Sequence, residues 1–159
     1  MKFISITTMH RAGSGLISYL ISSNDQVMTL PDTTSSTFHE LDALQFFDKE
    51  KQTTNIDEFI DKHKIIFNPK IDLTRSEKLG WTRLGPSQSE TFEIDQDSFK
   101  AFFIEELNSS VPAFCNFLIA LHRSYYRAMG KCVEKRQVIL LGTHHLHNAI
   151  NYYNKILPN

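Results

Sequence analysis

The sequence predicts an α/β fold, in which a parallel sheet is flanked by helices as a three-layer arrangement within a single domain of residues 1–159. Residues 2–9 are predicted to be a buried strand, an apolar, β-type run that passes through a short glycine-containing loop into an amphipathic helix. Residues 137–141 form another strand without a polar side chain after Gln137, as is typical of a strand covered on both faces of a parallel sheet. Helical segments separate the strands, and this alternation favours a layered α/β fold.

The N-terminal half is expected to alternate between strands and helices. After the first strand, the predicted elements are a helix over 14–23, a strand over 27–30 ended by Pro31, a helix over 38–48, a helix over 56–63 and an extended piece over 65–67. The helix over 38–48 is predicted because Leu41, Leu44 and Phe47 recur at a spacing of three.

The C-terminal half is predicted to be mainly helical. Its elements are an irregular surface excursion over 68–94, a helix over 97–107 with Asp97 near its cap, a long helix over 111–129, the strand over 137–141 and a helix over 146–156. The long helix carries an apolar stripe on one side, and Gly130 is expected to end it.

Composition indicates an ordinary globular protein and excludes several functional classes. Of the 159 residues, 41% are hydrophobic and 22% are charged, and the formal net charge is −1, so no global positive field attracts nucleic acid or anionic membranes. No apolar run approaches the ~20 residues of a membrane span. Cys115 and Cys132 are too sparse for a disulfide framework. We therefore expect a cytoplasmic protein without membrane or nucleic-acid partners.

The loop after the first strand is a candidate anion-binding site. Arg11 offers a permanently charged planar fork, Ser14 offers a hydroxyl, and Gly13 and Gly15 allow close backbone approach. The following helix would direct its N-terminal amides and dipole at the same point. The loop lacks the lysine of the common nucleotide phosphate loop and the spacing of the dinucleotide-binding loop, and a plain strand-to-helix turn with a surface arginine is the alternative.

Two further groups of side chains have alternative interpretations. His144 and His145 follow the last strand, where ligands gather in open α/β sheets, and either could face a substrate or be an exposed helix-cap residue. No metal is expected, because the glutamate of a zinc-enzyme helix is absent between the histidines. Five cations near the end of the long helix are predicted to form a solvated helix end: Arg123, Arg127, Lys131, Lys135 and Arg136.

Two motifs resemble the 3′-phosphoadenosine 5′-phosphosulfate (PAPS)-dependent sulfotransferases, whose fold is related to that of the P-loop NTPases. The segment Arg11-Ala12-Gly13-Ser14-Gly15-Leu16-Ile17 resembles their 5′-phosphosulfate loop, and residues 23–27 stand in place of the turn into their second strand. Near the other end, residues 138–145 resemble their strand and turn, and Leu157-Pro158-Asn159 resembles the exit from the next helix. The two motifs occur in the family's order and cover about a third of the chain, residues 3–31 and 137–159.

The resemblance implies sulfuryl transfer from PAPS to a hydroxyl or amine of a small-molecule or carbohydrate acceptor, without a metal. It assigns the donor to Arg11, Ala12, Gly13, Ser14, Gly15 and Leu16. From their position after the last strand, His144 and His145 are the candidates for contact with the acceptor or the donor sulfonate. Glu40 is the first candidate for the base and His39 the second, with solvent-facing helix residues as the alternative.

Departures from the family pattern leave a second interpretation open. Ala12 and Gly15 replace residues that usually carry hydroxyls, and Gly142 stands where a lysine is common. The strand and helix that bring an arginine and a serine to the donor's 3′-phosphate would follow Asn159, so the domain is expected to lack that segment. A truncated, non-catalytic nucleotide- or phosphate-binding module is therefore the alternative, and an unpaired sheet edge makes a homodimer an expectation.

Overall fold

The structure is a computed structural model that describes residues 1–7, 20–21, 23–31, 47–48, 53–54, 56–78, 81–82, 84, 86–107 and 113–143. The described strands are β1 (Lys2–Thr7), β2 (Val27–Met28), β3 (Phe47–Asp48), β4 (Thr53–Thr54) and β5 (Val138–Thr143). The α-helices are α1 (Ile56–Lys62), α2 (Lys64–Phe67), α3 (Leu73–Lys78), α4 (Gln96–Glu106) and α5 (Ala113–Ala128), with a 3₁₀ helix at Pro69–Asp72.

Three strands form a parallel sheet in the order β1–β5–β2. β5 pairs with β1 from Lys2↔Val138 to Thr7↔Thr143, and with β2 at Val27↔Val138 and Met28↔Ile139. Ile139, Leu140 and Leu141 of β5 are buried. The predicted parallel pairing and α/β character are confirmed, and the strand extends beyond its predicted end to Thr143.

The prediction of a buried first strand is only partly right. β1 begins at Lys2 as expected, and Phe3 packs against the core, but Ile4 keeps 45% of its surface exposed. Successive side chains of a strand point to opposite faces of the sheet, so Ile4 lies on the face opposite to that of Phe3. Residues 8 and 9 of the predicted strand lie outside the described residues, as does most of the predicted helix over 14–23, although Leu20 and Ile21 are helical.

Two local predictions in the middle of the chain are wrong. Phe47 and Asp48, predicted to end a helix, form β3 and pair antiparallel with Thr53 and Thr54 of β4. Residues 65–67, predicted to be extended, are helical. Because Ile65, Ile66 and Phe67 are all buried, their apolar run has no helical periodicity, and burial on every side leaves a strand and a short helix indistinguishable by pattern.

The predicted irregular excursion over 68–94 contains two short helices. The Asn68 side chain accepts a hydrogen bond from the Lys70 amide at 2.9 Å and begins the 3₁₀ helix, and the buried Ser76 hydroxyl donates to the Pro69 carbonyl at 2.6 Å. Trp81 is buried and lies 5.9 Å from the Phe92 ring. The segment therefore contributes side chains to the core and is not only a surface excursion.

The predictions of the two long helices are confirmed. α4 is capped by Asp95, whose carboxylate accepts a hydrogen bond from the Ser98 amide at 3.1 Å, and Asp97 lies in the first turn, near the cap as predicted. α5 ends as predicted at Gly130, which has a φ of +70°, in the region that favours glycine.

Edge-to-face aromatic contacts join α2, α4 and α5. The Phe67 ring lies 4.9 Å from Phe99 and 5.8 Å from Tyr125, and Phe103 lies 5.5 Å from Phe117. The buried Tyr125 hydroxyl donates a hydrogen bond to the Ile66 carbonyl. Burial raises the pKa of Tyr125 well above its ordinary value, so the hydroxyl stays protonated and remains a donor.

We predict that Tyr125→Phe lowers the free energy of unfolding by about 1–3 kcal/mol, because the buried Ile66 carbonyl loses the Tyr125 donor. Urea denaturation followed by circular dichroism measures the loss. Tyr126→Phe is the matched control: its hydroxyl accepts a bond of 3.2 Å from the half-buried Thr29 amide, so a smaller loss is expected. An unfolding free energy unchanged by Tyr125→Phe would contradict the prediction.

A buried histidine lies within α5. His122 is fully buried, and its Nδ1 lies 2.8 Å from the Leu118 carbonyl oxygen. Burial lowers the pKa of His122 from 6.5 to about 4, although the Leu118 carbonyl acts in the opposite direction. The folded protein therefore holds this imidazole neutral at pH values where the unfolded chain protonates it.

We predict that stability falls as the pH drops from 6.5 towards 4, because protons bind His122 in the unfolded state before they bind it in the folded state. The loss attributable to this residue reaches about 3 kcal/mol. It is measured as the difference in unfolding free energy between the native protein and His122→Gln at each pH, since the other titrating groups are common to both. Parallel pH profiles would refute it.

Candidate anion site at the carboxyl edge of the sheet

The predicted site residues lie outside the described part of the chain. They are the donor-loop residues Arg11, Ala12, Gly13, Ser14, Gly15 and Leu16, the candidate bases His39 and Glu40, and the substrate histidines His144 and His145. The structure does describe the strands from which these segments depart.

The two segments that carry the sulfotransferase-like motifs leave the sheet side by side. β1 ends at Thr7 and β5 ends at Thr143, and these two residues are partners in the parallel register. Arg11 follows Thr7 by four residues, and His144 follows Thr143 directly. Both segments therefore start from the same edge of the sheet, the carboxyl edge, where open α/β sheets bind their ligands.

The segment that leads to the candidate bases leaves β2 at the level of the first residues of β5, because Met28 is paired with Ile139. β2 ends at Met28, and Leu30 behind it is buried. The Thr29 amide donates a hydrogen bond of 3.2 Å to the Tyr126 hydroxyl of α5, which holds the exit of β2 against that helix. The chain then passes Pro31 towards His39 and Glu40.

The strand order separates this sheet from that of the dinucleotide-binding proteins. Their first two strands are neighbours, whereas here β5 lies between β1 and β2. This agrees with the absence of the dinucleotide-binding glycine spacing after β1.

The basic residues at the end of α5 are not the simple solvated helix end that the sequence predicts. The Arg123 guanidinium lies 2.7 Å from Glu106, and Arg127 lies 2.8 Å from Glu105 and 3.0 Å from Glu106. Arg127 also lies over the Phe102 ring at 4.1 Å. Hydrogen bonding to Glu105 raises the pKa of Arg127 further, so its guanidinium stays charged.

Arg136 fastens β2 to the turn that precedes β5. Its Nη1 donates to the Val27 carbonyl at 2.6 Å, its Nε donates to the Cys132 carbonyl at 3.0 Å, and its guanidinium lies 4.5 Å from the centroid of the Tyr126 ring. This turn is at the amino end of β5, the opposite end from the predicted anion loop. Sequence reasoning missed the roles of Tyr126 and Arg136, since their partners are about a hundred residues away in the chain.

The described residues show no cluster of three or more histidine, cysteine or acidic side chains that could hold a metal ion. Cys115 is buried and Cys132 is exposed, and neither is in a disulfide bond. Of the helices in the described ranges, none combines the length and apolar character needed to cross a membrane. Comparisons with protein-family models, curated proteins and solved structures found no match to this chain.

Proposed function

We propose that the chain is a sulfotransferase-like protein of the P-loop-related α/β fold that transfers a sulfuryl group from PAPS to a hydroxyl or amine acceptor. The observation that carries the proposal is the parallel register of β1 and β5, with Thr7 opposite Thr143. The resemblance rests on one motif after each of these strands, and a common function requires the two motifs to begin at the same sheet edge.

Sulfuryl transfer needs few protein groups, and the sequence supplies a candidate for each. Arg11 and the amides around Ser14 would hold the phosphosulfate and stabilise the charge that develops during in-line displacement at sulfur. Glu40 or His39 would take the proton of the acceptor, and His144 or His145 would contact the acceptor or the sulfonate.

The second candidate function is a non-catalytic module of the same fold that binds nucleotide or phosphate. Ala12 and Gly15 favour it, since the loop then has fewer hydroxyl donors for a sulfonate than the family pattern provides. Preference for a 3′-phosphate on the ligand discriminates between the two functions.

We predict that the protein binds adenosine 3′,5′-bisphosphate, and that Arg11→Ala abolishes this binding because the loop loses its permanent cation. Tighter binding of the bisphosphate than of AMP is the result expected of a working donor site. Calorimetric titration measures both affinities. Lys135→Ala, which removes an exposed cation near the amino end of β5, is the matched control and should bind like the native protein.

Other outcomes of that titration are equally informative. Equal weak binding of both nucleotides, lost in Arg11→Ala, supports the non-catalytic module. Binding that survives Arg11→Ala, or no binding of either nucleotide, overturns both functions.

We predict that Glu40→Gln lowers the rate of transfer from labelled PAPS about 10²-fold or more without changing donor affinity, because general-base catalysis contributes about 10²–10⁴-fold. The rate is measured against a panel of hydroxyl and amine acceptors. His39→Gln is the paired variant: if it alone lowers the rate, the base is His39, and if neither variant changes the rate, the base lies elsewhere.

A further inference from the structure

The five basic residues at the end of α5 fall into two groups with different electrostatic environments. Arg123 and Arg127 are neutralised by Glu105 and Glu106 of α4. Lys131 and Arg136 form no ion pair with any carboxylate in the described parts of the chain.

Lys131 and Arg136 are held close together although both are positive. The Lys131 Nζ lies 5.2 Å from the centroid of the Tyr126 ring and the Arg136 Cζ lies 4.5 Å from it, so the two charged groups are less than 10 Å apart. Burial, and then the charge of Arg136, lower the pKa of Lys131. The two cations therefore repel each other at the protein surface, where Lys131 is exposed and Arg136 is half-buried.

The nearest carboxylate in sequence is occupied elsewhere. Glu134 accepts hydrogen bonds from the Cys132 thiol at 2.9 Å and from the Val133 amide at 3.1 Å, and these bonds lower its pKa. The Glu134 carboxylate therefore interacts with groups of its own turn and not with the two cations at the Tyr126 ring.

Arg136 is preorganised for a ligand and has donors left over. Two of its N–H groups are used by the Val27 and Cys132 carbonyls, and the guanidinium is further fixed against Tyr126. A guanidinium has five N–H donors, and an ammonium has three. The donors of Arg136 and Lys131 that have no acceptor among the described residues suit a compact, doubly charged oxyanion.

We infer that Lys131 and Arg136 form a second oxyanion-binding site, for a phosphate or sulfate group, at the amino edge of the sheet. It is distinct from the proposed donor loop, because β5 has six residues and separates the two edges by about 17 Å. The anion compensates the repulsion between the two cations.

The test is calorimetric titration of Arg11→Ala protein with inorganic phosphate and with glycerol phosphate, at constant ionic strength. The Arg11→Ala background removes the proposed loop, so the result does not depend on whether the proposed function is correct. Lys131→Gln in that background is expected to weaken binding at least tenfold. Arg136 is left intact because it fastens β2, and thermal unfolding verifies that each variant is folded.

Lys135→Gln is the matched control, because Lys135 is exposed like Lys131 and carries the same charge, but only Lys131 lies over the Tyr126 ring in the described part of the chain. It should change the affinity less than twofold. Tighter binding of glycerol phosphate would identify a phosphomonoester as the ligand, and binding of inorganic phosphate alone would identify the free ion. Absence of binding at millimolar phosphate, or equal weakening by Lys131→Gln and Lys135→Gln, would overturn the inference.

Discussion

The hydroxyl groups of Tyr125 and Tyr126 join the last turn of α5 to two different parts of the chain. Tyr125 donates to the Ile66 carbonyl of α2, and Tyr126 accepts a hydrogen bond from the Thr29 amide behind β2. Neighbouring residues on a helix point about 100° apart, so one turn reaches both the helical region and the sheet. Because the Tyr126 ring also supports the guanidinium of Arg136, the same turn sets the position of the strand that follows.

The position of the short strand β2 depends more on these contacts than on its pairing with β5. It has two residues, and two paired positions with β5 contribute little by themselves. The Arg136 bond to the Val27 carbonyl at one end and the Tyr126 bond to Thr29 at the other hold it in register. The direction in which the chain leaves towards the candidate bases is therefore determined by side chains from α5 and from the turn before β5.

Charge in this region is arranged in two different ways. Arg123 and Arg127 pair with α4 carboxylates. Both pairs with Glu106 are better shielded than a typical surface salt bridge, because the arginine side chains are 24% exposed and Glu106 is 14% exposed, whereas Glu105 is exposed. Lys131 and Arg136 lie only a few residues further along and have aromatic and carbonyl partners instead. In the sequence all of these cations look alike, because which of them meets a carboxylate depends on where α4 packs.

The sequence alone determined the elements whose signals are local: the apolar strand β5 and its parallel environment, the two long helices α4 and α5, and the end of α5 at Gly130. Hydrophobic periodicity and a glycine that tolerates positive φ are properties of a few neighbouring positions, so they can be recognised in the sequence without knowledge of the fold. Only the tertiary structure decided the helical state of residues 64–67, the β3–β4 pairing, the order β1–β5–β2 and the contacts of Tyr126. These features depend on contacts between residues that are far apart in the chain. No local property of an apolar run or of a tyrosine identifies the residue that it will contact.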